Sequence, residues 1–166
     1  ILGNGCGDNI SVGICWRSPV YNEKRVQWYM ELEELLAVFD GIEKNINLVC
    51  MQYKVSEVER DLINGCGFNN VVFPAVDLKN DLDDMGAIMK ALDLFIGPPT
   101  ANCQLAGGVG TPVWIFGERN TDRWNLEKNY LRSFYPQTEV FVSQNRWDDV
   151  VQRMNSRLRG LVVGEC

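Results

Sequence analysis

The 166-residue sequence contains no histidine. This absence excludes Ser-His-Asp and Cys-His catalytic groups within the chain, together with every metal site that needs an imidazole ligand. The six cysteines include no C-x-x-C pair, which disfavours a thioredoxin-like redox site and a zinc ribbon. Cys15 and Cys50 lie inside apolar runs, where free cysteine behaves as a small hydrophobic residue. We therefore expect reduced, structural thiols in a cytoplasmic protein.

Long hydrophobic runs and an excess of positive charge are also missing. No segment approaches the roughly 18 uninterrupted apolar residues that a membrane span needs. The first residues lack the basic and then apolar pattern of a signal peptide. The net charge of −6 disfavours general nucleic-acid binding, although it is compatible with a local basic pocket for a phosphate ligand. We expect no membrane span, no nucleic-acid partner, no metal and no cofactor.

Apolar runs and helical periodicities alternate along the chain. The apolar runs predict β-strands at 11–16, 47–52, 71–73, 94–96, 113–116 and 139–142. Between and after them, apolar spacing and capping residues predict helices at 26–39, 56–65, 81–92 and 100–109, and a last helix capped by Asn145. Ser56 and Glu59 form a capping-box pattern at the start of the second of these helices. On the helix at 81–92, we expect Leu82, Met85, Ile88, Met89 and Leu92 to face the core.

This alternation predicts an α/β protein with right-handed βαβ units. We expect a Rossmann-like, doubly wound parallel sheet of about six strands in one domain at 11–166, with 1–10 as a linker or entry loop. The segment 117–137 is a long excursion between two strands. Its aromatic residues argue against disorder, so a functional loop is expected there: Trp124, Tyr130, Phe134 and Tyr135.

A turn-rich stretch, GPPTANCQLAGGVG, follows the fourth predicted strand. In an open parallel sheet, ligands bind beyond the carboxyl ends of the strands, where the strand order reverses. Strands 1 and 4 would be neighbours there, so the loop at 17–19 and the loop at 97–100 would line one crevice. Thr100, Ala101 and Asn102 would form the first turn of a helix, which is a ready anion site.

Simpler interpretations stay open for these residues. The prolines and Thr100 also suit an ordinary turn and N-cap, and Arg17 also suits a solvated surface arginine. Gly107 and Gly108 predict close packing of the helix on the sheet.

Several longer segments of the sequence follow in a recognisable order. They are VGICWRSP, LVCMQY, DDMGAIMKALDLFIGPPTANCQLAGGVGTPVWIFG, RW and SFYP in the long loop, and RWDDVVQRM. Together they resemble the C-terminal half of GT-B glycosyltransferases, especially the heptosyltransferase-like family and tetratricopeptide-repeat proteins that carry a similar C-terminal transferase region. The resemblance extends from Val12 to Met154 and is most specific over 93–116.

The resemblance implies a site for a nucleotide-diphosphate sugar. The diphosphate would lie over Thr100 and Ala101, and Arg17 and Ser18 would approach the phosphates. The base and ribose would be bordered by the loops after strands 2 and 3, with Gln52, Tyr53, Ala75, Val76 and Asp77.

The chain departs from that family at three positions. Relatives commonly have an aspartate before the threonine, often a glycine after it and a histidine four residues after it. The residues here are Pro99, Ala101 and Gln104. Asn102 and Gln104 would supply neutral hydrogen bonds in place of the missing groups.

The expected function is therefore donor binding in a glycosyltransferase. The acceptor would be held by an N-terminal GT-B domain that lies outside this chain, in a larger protein, so the isolated chain should be inactive. No catalytic base is identified. The alternatives are a degenerate, non-catalytic ligand- or protein-binding module of the same fold, and an unrelated flavodoxin-like module, for which no flavin signature is visible.

Overall fold

The computed structural model describes residues 9–18, 29–118, 135–143 and 147–162. Its strands are β1 (Ile10–Ile14), β2 (Ile46–Cys50), β3 (Asn70–Val72), β4 (Leu94–Gly97), β5 (Val113–Glu118) and β6 (Thr138–Ser143). Its α-helices are α1 (Leu32–Leu36), α2 (Glu57–Gly65), α3 (Leu82–Lys90), α4 (Ala101–Gly108) and α5 (Trp147–Val162). Two 3-10 turns lie at Ala37–Phe39 and Glu43–Asn45.

The six strands form one sheet in the order β3-β2-β1-β4-β5-β6. Every adjacent pair is parallel. The strand order reverses between β1 and β4, where Ile14 is in register with Cys50 on one side and with Ile96 on the other. The predicted Rossmann-like, doubly wound parallel sheet is confirmed, and strands 1 and 4 are the neighbours that the sequence predicts.

Apolar side chains form two clusters, one on each face of the sheet. On one face, Ile14 packs in a cluster with Leu35 of α1 and Met154 of α5. On the other face, Phe95 packs in a cluster with Met89 of α3 and with residues of α4. Because helices cover both faces, the central strand β4 is apolar and buried along its whole length instead of alternating.

Capping residues fix the starts of α2 and α3. The Ser56 hydroxyl accepts a hydrogen bond from Glu59 N at 3.3 Å, and the Glu59 carboxylate accepts one from Ser56 N at 2.8 Å. This reciprocal pair is the capping box that the sequence predicts. The Asp81 carboxylate caps α3 through Asp84 N at 3.1 Å. Thr100 is the N-cap of α4, but its hydroxyl makes no capping hydrogen bond.

Two predictions about the helices are wrong in detail. The helix predicted at 26–39 is shorter: its described part contains α1 and then a 3-10 turn. Glu31 N donates to the Glu34 carboxylate at 2.9 Å, which closes the start of α1. Leu82 does not face the core but is 60% exposed, because it begins α3 at the rim of a cavity described below.

The prediction of close packing at Gly107 and Gly108 fails at Gly108, and at Gly107 the close contact is with an aromatic side chain and not with a strand. A Cβ added to Gly107 would lie 2.8 Å from Cγ of the Tyr135 ring, whereas a Cβ on Gly108 would meet nothing within 4 Å. Of these two glycines, only Gly107 has a close neighbour that leaves no room for a Cβ. That neighbour is Tyr135, the aromatic residue before β6.

Some predictions fall outside the described residues. They concern most of the linker at 1–10, Pro19, Val26, most of the long loop with Trp124, Tyr130 and Phe134, and the Asn145 cap. Among the residues that the structure describes, no helix is long and apolar enough to cross a membrane.

Candidate functional site

Four loops meet at the carboxyl edge of the sheet, beside the switch between β1 and β4. They follow β1, β2, β3 and β4, and they surround three adjoining cavities. The inner cavity, of about 190 Å³, is lined by Arg17, Ser18, Gln52, Tyr53, Leu78, Lys79, Leu82, Met85, Thr100, Ala101 and Asn102. Seven residues that the sequence nominated for the site therefore line one cavity, although three separate segments supply them.

The other two cavities adjoin the inner one through Gln52 and Tyr53. A side cavity of about 260 Å³ also contains Val76 and Asp77, two of the residues predicted to border a base and ribose. An outer cavity of about 740 Å³ lies between the β1 loop, the segment 29–33 and α2.

The remaining nominated residues lie away from these walls. Ala75 is exposed and lines none of the three cavities. Pro99 is buried behind the start of α4, and Gln104 is exposed on the following turn. Neither belongs to the cavity walls. Of the three positions that depart from the resembled family, Pro99 and Gln104 therefore do not line the cavities, whereas Ala101 lines the inner one.

Side-chain hydrogen bonds hold the first turn of α4 in place. Asn102 Nδ2 donates to Met51 O at 3.2 Å, which ties the helix to the end of β2. The Cys103 thiol donates to Pro98 O at 3.0 Å. Thr100 Oγ1 is buried without a hydrogen-bond partner among the described residues. Since the first turn of a helix leaves backbone N–H groups without intrahelical partners, this end of α4 presents donors at the inner cavity.

Gln52 joins the loops after β1 and β2. Its side chain is only 3% exposed. Gln52 Oε1 accepts hydrogen bonds from Trp16 N at 3.0 Å and Arg17 N at 3.1 Å, while Nε2 donates to Tyr53 O at 3.0 Å. Both polar ends of the amide are thus used within the protein. Gln52 fixes the backbone of the β1 loop, a role that its position after a strand did not reveal.

Arg17 is engaged by Glu59, the capping residue of α2. Both guanidinium Nη atoms donate to the Glu59 carboxylate, the second at 3.1 Å, and Nη2 also donates to Lys54 O at 3.1 Å. Glu59 additionally accepts from the indole of Trp16 at 3.2 Å and from the hydroxyl of Ser56 at 2.9 Å. Burial raises the pKa of Glu59, but the hydrogen bonds from Arg17 and Ser56 outweigh it and lower that pKa to about 2.

Sequence reasoning found the capping box but missed Glu59 as the partner of Arg17. The two residues are 42 positions apart, and no spacing rule links them. The capping box predicts where the carboxylate sits on α2, and only the parallel pairing of β1 with β2 brings the arginine to it.

Buried thiols form the floor beneath these loops. Cys15, Cys50 and Cys103 are free and buried. Desolvation raises the pKa of the Cys15 thiol to about 12 and that of the Cys50 thiol to about 11, and it also raises the pKa of Cys103. These thiols therefore stay protonated at neutral pH and act as small apolar residues. In the described ranges, no group of three or more acidic or cysteine residues is placed to hold a metal ion.

The comparisons with known sequences are sparse. No protein-family model matches the chain. A curated relative, Protein FlbA of Caulobacter vibrioides, is 25% identical over 158 residues, which cover 92% of this chain and 26% of FlbA. The chain thus spans about a quarter of that relative's length.

Solved structures show the same fold. A glycosyl transferase family 9 protein from Veillonella parvula matches 89% of this chain and 40% of its own length, with a TM-score of 0.53 and 13% identity. A Listeria monocytogenes protein described as a UDP-N-acetylglucosamine 2-epimerase matches 94% of this chain and 37% of its own length, with a TM-score of 0.52 and 14% identity. The glycotransferase of kitacinnamycin matches 93% of this chain and 37% of its own, with a TM-score of 0.50 and 14% identity.

Proposed function

We propose that this chain is the donor-binding domain of a glycosyltransferase and binds a nucleotide-diphosphate sugar. The observation that carries the proposal is the inner cavity at the β1–β4 switch, where the first turn of α4 meets the loops after β1 and β2. This is the position at which open α/β sheets bind their ligands. A diphosphate there would accept hydrogen bonds from the free N–H groups of Ala101 and Asn102.

The fold neighbours support a nucleotide-sugar ligand. Two of them are named as glycosyl or glyco-transferases, and the third is named for a UDP-sugar substrate. The matches cover 37–40% of each of these chains, in keeping with one half of a two-domain GT-B enzyme. The acceptor would then bind to a domain outside this chain. The heptosyltransferase-like and tetratricopeptide-associated assignments rest on the sequence resemblance, and a cytoplasmic location rests on the expectation of reduced, structural thiols.

The proposed reaction breaks the bond between the sugar's anomeric carbon and the diphosphate and forms a bond from that carbon to an acceptor oxygen. Negative charge builds on the departing diphosphate as the bond breaks. The N–H groups of the first turn of α4 stabilise that charge, since they are fixed before the reaction begins. Tyr53, Val76 and Asp77 would border the base and ribose. The base that removes the acceptor proton would come from the other domain.

A second candidate is a non-catalytic module that binds a ligand or a protein with the same fold. The observation that favours it is the identity and position of Pro99 and Gln104. Pro99 is buried and carries no acid, and Gln104 is exposed, lines none of the three cavities and carries no imidazole. Nucleotide binding without a contribution to sugar transfer would support this candidate.

The test is calorimetric titration of the chain with ADP, GDP, UDP and CDP. Ala101→Asp places a carboxylate beside the first-turn N–H groups, and we expect it to weaken binding at least tenfold, because it would repel the phosphates. Thr100→Ala removes a hydroxyl next to the same groups and should weaken binding by about tenfold or less. The domain should remain folded, since an acidic residue is favourable in the first turn of a helix.

The matched control is Ala87→Asp, which makes the same change at an exposed position in the middle of α3. Its affinity should equal that of the wild type, with thermal melting as the folding check. If the wild type binds a diphosphate and Ala101→Asp binds it equally well, the ligand does not lie at the start of α4. If the wild type binds none of the four, the donor-binding proposal fails.

A further inference from the structure

Two lysines approach the same aromatic ring at the mouth of the cavities. Lys54 Nζ lies 5.5 Å from the centre of the Tyr53 ring, and Lys79 Nζ lies 5.9 Å from it. The two side chains come from different loops, those that follow β2 and β3. The chain as a whole carries a net charge of −6, so a pair of cations on one ring is a local exception. Two cations within 6 Å of one ring raise the local positive potential, which favours an anionic ligand near that ring.

The inner and outer cavities differ in the charged residues that line them. The inner cavity has Arg17 and Lys79 as its charged residues and no carboxylate. The outer cavity contains Arg17, Lys54 and Lys79, but also Glu31, Glu33 and Glu59. Positive charge is therefore least compensated at the inner cavity, next to the start of α4.

The Arg17 side chain is already bound by other groups of the protein. Its guanidinium is held by the Glu59 carboxylate and by Lys54 O. These contacts use three of its five N–H donors, and the Glu59 carboxylate, which also accepts from Trp16 and Ser56, already neutralises its charge. Lys79 acts only weakly on the exposed carboxylate of Asp77, whose pKa is lowered first by hydrogen bonds from Asn80 and the Lys79 backbone and least by the Lys79 charge. Of the two cations that line the inner cavity, Lys79 is therefore the one whose charge is less neutralised by a carboxylate.

The backbone at Lys54 supports a positioned side chain. Its φ of +56° is left-handed, and Lys54 is the only non-glycine residue in the described ranges with a positive φ. A left-handed conformation costs a residue with a Cβ about 1–2 kcal/mol, so the surroundings must hold it. The hydrogen bond from Arg17 to Lys54 O does so. Arg17 thereby acts on the turn that carries Lys54 and Tyr53.

We propose that Lys79 binds the phosphate groups of the ligand in the inner cavity, that Lys54 assists it from the adjoining outer and side cavities, and that Arg17 is a positioning residue and not a phosphate ligand. This inference rests on the proposed function, which it deepens by naming the charged side chains that hold the diphosphate.

The test is calorimetric titration of the whole chain with inorganic pyrophosphate and with the same four nucleoside diphosphates. Lys79→Gln should weaken binding about tenfold, because a hydrogen bond to a charged group is lost. Lys54→Gln should weaken it about threefold, since that side chain is exposed and lines only the outer and side cavities. Both variants should flatten the salt dependence of binding. Lys90→Gln, at an exposed position near the end of α3, is the matched control and should leave affinity and salt dependence unchanged.

The Arg17→Gln, Glu59→Gln double variant removes the ion pair without changing the net charge. We expect its salt dependence to equal that of the wild type, even if its affinity falls through disorder of the Lys54 turn. A flattened salt dependence in this variant, with the lysine variants unaffected, would identify Arg17 as the ligand and overturn the inference. If the double variant does not fold, the lysine variants alone decide the matter, since both are exposed at the surface.

The outcomes also separate the inference from the function. Nucleotide binding that Lys79→Gln and Lys54→Gln leave unchanged overturns the inference and keeps the function. Lysine-dependent binding of pyrophosphate, without binding of any nucleoside diphosphate, supports the inference and overturns the function. Binding of none of these probes overturns both.

Discussion

Replacing Glu59 tests how the loop after β1 is held against α2. Its carboxylate accepts hydrogen bonds from Arg17, Trp16 and Ser56 at the start of α2. Replacing it with glutamine keeps the size of the side chain but removes the charge. Burial raises its pKa, and the hydrogen bonds from Arg17 and Ser56 outweigh burial and bring it from 4.5 to about 2. That difference corresponds to about 3 kcal/mol of folding stability at neutral pH.

Partial exposure to solvent reduces this contribution of the Glu59 charge to folding stability. The side chains of Arg17 and Glu59 retain 27% and 19% of their exposure, so the pair is partly screened. We therefore expect Glu59→Gln to lower the free energy of unfolding by about 2 kcal/mol at pH 7. Urea unfolding, followed by the fluorescence of the tryptophans, measures this difference.

The pH dependence follows from the direction of the pKa shift. The pKa of Glu59 is lower in the folded state than in the unfolded state, so its contribution is complete above pH 4.5 and is lost as the pH falls towards 2. The stability gap between the wild type and Glu59→Gln should therefore be largest near pH 7 and should shrink steadily below pH 4.5.

The control is Glu57→Gln, which removes the same charge from the same first turn of α2. It should cost less than about 0.5 kcal/mol, as surface substitutions usually do. A gap for Glu59→Gln that is as large at pH 3 as at pH 7, or no larger than that of Glu57→Gln, would refute the reasoning.

Two further predictions concern the buried supports of the site. Gln52→Leu should lower the free energy of unfolding by about 1–3 kcal/mol, because two backbone N–H groups lose their acceptor; Gln104→Leu, at an exposed position, is the control in the same urea titration. Gly107→Ala should destabilise the domain by about 1–3 kcal/mol through contact with the Tyr135 ring. Gly108→Ala, with open space around it, should instead be neutral or stabilise by up to about 1 kcal/mol, because alanine is the better helix former. Equal melting temperatures for the two glycine variants would contradict the packing at Gly107.

Much of the fold follows from the sequence because its signals are local. Apolar runs such as 94–96 are long enough to be strands and too uniform to be half-exposed, so they predict buried parallel strands. The capping box at Ser56 and Glu59 and the N-cap at Thr100 mark helix starts within a residue of their observed places. The alternation of these elements then leaves few ways to arrange a parallel sheet, which is why the strand 1 and strand 4 neighbours were predictable. The contact residues of a bound ligand stay a prediction.

The sequence was less informative about which group each polar side chain binds. Arg17 and Ser18 follow a strand at the switch point, which suggests phosphate contact. In the structure Arg17 binds a carboxylate that belongs to the cap of another helix. Gln52 likewise follows a strand, yet its amide is consumed by the neighbouring loop. Leu82 shows the helical spacing of a core residue but begins its helix at the open rim of the cavity.

The sequence by itself thus determined the class of most segments and the parallel sheet, and it indicated the loop at the start of the candidate site, because hydrophobic period and capping act over a few neighbouring residues. The tertiary structure alone decided which polar groups meet. Arg17 and Glu59 are 42 residues apart, and Lys54 and Lys79 reach the Tyr53 ring from separate loops. Such contacts exist only after the strands are laid side by side, since charge and hydrogen bonding act over a few ångströms in space, whatever the distance along the chain.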